Sequence, residues 1–231
     1  MSAATPCTDD CTSCTSGSPT PSEPTPVSPP AARLPGDDDD GSTLGPVRSR
    51  FAWCLTGSGH GLHESLELAA RLPQVDLFLS AAGEEVLGIY EITLESLRQR
   101  FRVLRDKTAS SVPVGRLYTD VYHTVIVAPA TSNTVAKCAY GFSDTLPTNM
   151  FAQAGKLGIP GIVFACDTEP VVVTQAPHGW VTLRPRRIEL DNVERLRAID
   201  HARVVASVDE LEQALTLRLH ELSLSWITSS S

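Results

Sequence analysis

Apolar residues in this chain gather in short unbroken runs instead of alternating with polar ones. Five such runs stand out: FAWCLTG from Phe51, VDLFLSAA from Val75, TVIVAPA from Thr124, GIVFACD from Gly161 and RVVASV from Arg203. Strands apolar on both faces belong to a parallel sheet covered by helices on each side. Between and after the runs lie patterns with helical period, HESLELAARL, TLESLRQRF, NTVAKCAYGF, TNMFAQAGKL, NVERLRAI and DELEQALTLRLHEL. Strands alternating with helices predict an α/β fold, a single doubly wound (Rossmann-like, flavodoxin-like) parallel sheet with helices on both faces.

The periodic region occupies residues 49–226. Ahead of it, residues 1–48 are rich in Ser, Thr and Pro and poor in large apolar side chains, which predicts a disordered acidic tail. The tail changes how the charge is read. Residues 1–45 hold seven acids against Arg33, a net of −6, so of the chain's −8 only −2 belongs to the rest. This balance argues against nucleic acid as a partner. No apolar run is long enough for a membrane span, and the N-terminus lacks the basic-then-apolar order of a signal peptide, so a cytoplasmic protein is expected. Cys7, Cys11 and Cys14 have a spacing found in iron–sulfur sites, but a fourth ligand is not evident and the segment is Pro/Ser-rich. No metal site is assigned. Cys54, Cys138 and Cys166 are expected as small buried apolar residues.

In doubly wound sheets ligands bind beyond the carboxyl ends of the strands. There the sequence reads Thr56-Gly57-Ser58-Gly59-His60-Gly61, Ser80-Ala81-Ala82-Gly83 and Pro129-Ala130-Thr131-Ser132-Asn133-Thr134. A dinucleotide fingerprint fails, because Leu62 stands where its third glycine belongs and Ser80 where an acid should hold the ribose. The loops contain glycine, hydroxyl and amide groups with no Lys or Arg. Ser58, Thr131, Ser132 and Thr134 can donate to phosphate oxygens, Asn133 can donate through its amide, and the following helices present positive dipole ends. This suits a mononucleotide phosphate with a flat ring over the strand ends. The competing reading is plainer: Thr131 or Ser132 caps a helix, and Gly57 to Gly61 forms a tight turn.

The segment PATSNTVAKCAYGFSDTLPTN, with TGSG and LSAAGEEV, resembles the flavin-containing cysteine decarboxylase superfamily. Within it the chain is most similar to the archaeal-type flavoprotein and dihydromethanopterin reductase (acceptor) group. The resemblance runs from Arg50 to about Leu215. It implies FMN, with Gly57, Ser58, Gly59, Ser80 and Ala130 to Thr134 as cofactor-binding residues, and assembly as a homo-oligomer built from trimers. It also implies reduction of the C=N bond of dihydromethanopterin, a pterin substrate, by NAD(P)H or another electron donor through FMN.

Departures from the superfamily weigh against the alternatives. Pro147 to Ala152 lacks the clamp order of the cysteine decarboxylases, and His123 lies at a strand entrance instead of upstream of it. That histidine reads as a surface or cap residue. The signature of the flavin prenyltransferases is not visible. A decarboxylase of a cysteine-containing substrate, and a non-catalytic flavin-binding assembly subunit, stay as alternatives. Catalytic side chains are not assigned. His60 and His63 are expected neutral, either facing solvent or contacting a ligand. Asp144 either orients a helix end or touches the ring, and Glu84 and Glu85 either favour a helix start or contact a pterin.

Overall fold

The structure, a computed structural model, describes residues 48–106, 111–176 and 179–227. The expectations for residues 1–47, Cys7, Cys11 and Cys14 among them, lie outside these. Five apolar runs become β1 (Arg50–Leu55), β2 (Val75–Leu79), β4 (Tyr122–Ala130), β5 (Gly161–Ala165) and β8 (Ala202–Val205). Together with β3 (Arg102–Arg105) they form a six-stranded sheet in the order β3-β2-β1-β4-β5-β8, and every pair in it is parallel. The chain winds outward from β1 to β3, returns to the centre, and winds the other way from β4. The switch in direction falls between β1 and β4, which leaves a crevice beyond their carboxyl ends.

The pleat divides each strand between two cores. Phe51, Trp53 and Leu55 of β1 pack with Ile126, Ile162 and Phe164 under α1 (Leu62–Arg71) and α8 (Val208–Glu221). Ala52 and Cys54 pack with Val125, Val127 and Val163 under α5 (Ser132–Ala139), α6 (Leu146–Lys156) and α7 (Arg187–Arg197). A helix on each face removes both sets of side chains from water, which is why neither set alternates with polar residues.

Three features depart from the sequence expectation. The edge strand β3 reads RVLR and was not among the apolar runs; it follows directly on the pattern TLESLRQRF, whose helix, α3, closes at Leu94–Arg98. The stretch after Ser80 is not an open loop: α2 begins at once, Ala81–Ile89, with Ser80 Oγ accepting from the Gly83 N–H at 2.9 Å. Between β5 and α7 the chain also forms an antiparallel hairpin, β6 (Val172–Ala176) and β7 (Gly179–Leu183), outside the main sheet. The remaining short elements are α4 (Ser111–Gly115) and a 3-10 turn over Arg116–Thr119.

Polar side chains lock the amino-terminal end of the sheet. Asp76 is fully buried and accepts from the Arg50 guanidinium at 3.0 and 2.5 Å and from the Tyr122 hydroxyl at 2.6 Å. One carboxylate thus joins β1, β2 and β4, and burial beside it pushes the Tyr122 hydroxyl well above its ordinary pKa. His123 is here too. It is not a surface residue: it is 4% exposed, stacks edge-on to Phe51 at 4.3 Å and shares a 2.9 Å hydrogen bond with Thr124 Oγ1. Arg218 of α8 donates to the His123 carbonyl at 2.9 Å and to Thr124 Oγ1 at 2.8 Å.

Burial first, and then the neighbouring Arg218 charge, lower the His123 pKa from 6.5 to about 4. The unfolded chain therefore binds a proton between these values that the folded protein refuses, so stability falls as pH drops through this window. Between pH 7 and 4.5 wild type should lose roughly 2–3 kcal/mol more than H123L. Denaturant unfolding at both pH values checks this, and parallel losses would contradict it.

Candidate functional site

The loops after β1 and β4 meet across the crevice, and one side chain fastens them. Thr56, 2% exposed, donates its hydroxyl to the Pro129 carbonyl at 2.7 Å and accepts from the Thr131 N–H at 3.1 Å. A buried backbone pair is thus satisfied across two loops that share no strand ladder at this level. The peptide between Ala128 and Pro129 is cis. Below it, Trp53 Nε1 donates to the Ala128 carbonyl at 2.8 Å, which fixes the carboxyl end of β4 against β1.

Beyond this bridge lies a cavity of about 410 Å³. Gly57, Ser58, Gly59 and His60 line one side, and Thr131, Ser132 and Asn133 line the next. Gly57 is required by packing against α2, and a side chain on Gly59 would have to displace the Tyr90 ring. A Cβ on Gly57 would stand 2.8 Å from the Ala82 Cβ, and one on Gly59 would stand 2.1 Å from the Tyr90 hydroxyl. The loop backbone therefore runs hard against that helix, where its N–H groups can approach a ligand. Gly61 adopts φ +63° and caps α1 at its amino end.

Thr131 caps α5 by accepting from the Thr134 N–H at 3.1 Å, with the two hydroxyls 3.0 Å apart. The plainer reading of that loop as a helix cap is therefore part of the structure, yet the same loop also walls the cavity. Its α5 terminus brings the positive end of a helix dipole to the cavity. Among the described lining residues there is no Lys or Arg, so an anion here would meet hydroxyls, amides and dipoles.

Six of the nine expected residues line the cavity and three lie behind its wall. Gly57, Ser58, Gly59, Thr131, Ser132 and Asn133 line the cavity. Ser80, Ala130 and Thr134 do not: Ser80 caps α2, Ala130 is fully buried, and Thr134 bonds to Thr131. Of the other candidates, His60 lines the cavity and shares a 2.8 Å hydrogen bond with Thr174 Oγ1 of β6, tying the first loop to the hairpin. His63 is exposed, edge-on to Tyr90 at 5.7 Å. Asp144 pairs with Lys137 at 2.9 Å, which holds its carboxyl below the usual value. Glu84 pairs with Arg105 at 2.5 Å, and Glu85 is exposed. His123 stands at the opposite end of the sheet, about seven residues or roughly 23 Å along β4 from Ala130.

Two parts of the wall escaped the sequence. Cys166 and Asp167, just past β5, line the cavity beside the donor loops. The Cys166 sulfur lies 3.1 Å from Ser58 Oγ, and burial pushes its thiol up to about 12, so it is inert at neutral pH. Asp167 Oδ2 accepts from the Ser132 hydroxyl. The rule that picked the first loops, inspection of the residue after each strand, applies equally at Asp167. The remaining wall is apolar, from Val86 and Ile89 of α2, from Tyr90 just after it, and from Val172 and Leu183 of the hairpin. Hydroxyl donors on one side and apolar surface on the other fit a phosphate-bearing flat ring system.

With this geometry in place, comparison with known proteins gives the class. The Flavoprotein family matches residues 46–218, and the chain belongs to that family. The uncharacterized protein MJ0730 of Methanocaldococcus jannaschii is 35% identical over 175 residues, 72% of this chain and 94% of its own. The dihydromethanopterin reductase (acceptor) of Methanosarcina mazei is 38% identical over 144 residues, 56% of this chain. The chain spans 60% of that reductase's length. Among solved structures, Burkholderia xenovorans DmrB in complex with FMN, described as a cubic protein cage for redox transfer, is 66% identical. That match covers 78% of this chain and all of DmrB, with a TM-score of 0.73.

The bridge makes a direct prediction. Thr56→Val removes both hydrogen bonds while keeping the volume, and should lower stability by about 1–3 kcal/mol. Denaturant unfolding measures this. Hydrogen exchange at the 129–133 amides should rise in the same variant, and unchanged exchange there would refute the fastening role.

Proposed function

We propose that the chain is an FMN-dependent oxidoreductase that reduces dihydromethanopterin to its tetrahydro form. The observation that carries this reading is the cavity at the switch point, with uncharged phosphate donors on two loops and an apolar wall facing them. Likeness to the FMN-bound DmrB and to the dihydromethanopterin reductases supports it.

In this reading the Ser58 and Thr131 hydroxyls, the Asn133 amide and the Ser132 backbone N–H hold the phosphate and its linker, and Gly57 and Gly59 let the backbone close in. Ser80, Ala130 and Thr134 act from behind the wall, setting the starts of α2 and α5 and the end of β4. Bound FMN supplies two-electron transfer, which no side chain of the chain can perform alone. Val86, Ile89, Val172 and Leu183 exclude water from the ring, and the His60–Thr174 contact keeps the hairpin against it. Two electrons and two protons then cross the substrate C=N bond, the electrons coming from NAD(P)H or another carrier.

The same reading makes the protein a homo-oligomer built from trimers. Val173, Trp180 and Phe142, which are 57%, 72% and 63% exposed, offer the apolar surface such an assembly needs. It also places the protein in the cytoplasm; among the described residues no helix is long and apolar enough to cross a membrane.

Anaerobic mixing tests the reaction. FMN-loaded protein, reduced with one equivalent of dithionite, should be reoxidised by dihydromethanopterin with formation of one equivalent of the tetrahydro product. Protein that stays reduced with the pterin, yet is reoxidised at once by ferricyanide, would refute the reductase assignment.

A further inference from the structure

Asp167 is the one carboxylate among the described residues lining the cavity, and no lining Lys or Arg neutralises it. A negative charge is a poor neighbour for a phosphate in a partly dry cavity, so Asp167 must face a group that donates hydrogen bonds. Its Oδ2 already accepts from the Ser132 hydroxyl. Its Oδ1 makes no hydrogen bond among the described residues, and the side chain is only partly buried. From Asp167 the chain runs on to Val172 and Thr174 of the hairpin, which line the same cavity.

We propose that Asp167 is the recognition point of a subsite for the 2-amino-4-oxopyrimidine edge of a pterin. This rests on the reductase reading above and adds to it the residue that selects the substrate. The argument is one of donor pattern. A pterin presents the ring N–H and the adjacent amino group side by side, two donors spaced for the two oxygens of a carboxylate. The pyrimidine edge of a flavin presents one N–H between two carbonyl oxygens, so a carboxylate there would meet two acceptors. Asp167 is therefore matched to the pterin and mismatched to the flavin edge. Ser132 holds the carboxylate in place until the ligand arrives and marks the side on which the donor loops end.

Matched ligands test this without turnover. FMN-loaded full-length protein would be titrated by calorimetry with 6-methylpterin and with 6-methyllumazine, in which a carbonyl replaces the amino group. Wild type should bind the pterin at least roughly tenfold more tightly, the usual penalty for setting an acceptor against an acceptor. D167N should bring the two ligands within about threefold while FMN affinity stays within about twofold, and D167E should keep the preference. Wild type without preference would overturn the subsite, as would D167N that retains it or D167N that sheds FMN. Wild type that discriminates the ligands but fails the dithionite experiment keeps the subsite and refutes the reductase reading instead.

Discussion

The site depends on the two hydrogen bonds of the Thr56 hydroxyl. Parallel strands β1 and β4 lie side by side, but their following loops diverge to opposite faces of the sheet, which is the consequence of the change in winding. Nothing in the backbone ladder holds those loops together. Thr56 does so by taking the Pro129 carbonyl and the Thr131 N–H in one grip. At the other end of the same strands Asp76 joins Arg50 and Tyr122. The central strands are thus pinned at both ends.

Electrostatics then decide what such a crevice accepts. Without a lining cation, attraction to an anion comes from hydroxyls, amides and the α5 terminus, which cost little reorganisation because the backbone already holds them. This favours a mononucleotide phosphate over a diphosphate with its larger charge. The carboxylate of Asp167 is the one negative charge among the described lining residues. The His60–Thr174 contact closes the apolar side with the hairpin.

Much of this could be read from the residues. Runs apolar on both faces foretold a parallel sheet, and the glycine and hydroxyl residues singled out after β1 and β4 line the cavity at the switch point. The edge strand β3 was hidden because an edge needs no continuous apolar run, and RVLR is short with an arginine at each end. The hairpin was hidden because β7 is exposed along its whole length and serves no core of its own chain. His123 looked like an entrance residue because periodicity does not reveal that Phe51 and Arg218 enclose it. Asp167 was overlooked because the reading sought glycine and hydroxyl residues after the strands, and only the fold brings Ser132 beside this acid.

The central claim is that uncharged donors on the loops after β1 and β4 hold a phosphate. Calorimetric comparison of FMN with riboflavin, which lacks only that group, tests it most directly. The account predicts that FMN binds at least about a hundredfold more tightly, as several charge-assisted hydrogen bonds would give. Equal affinity for the two would show that the loops bind no phosphate and would contradict the account.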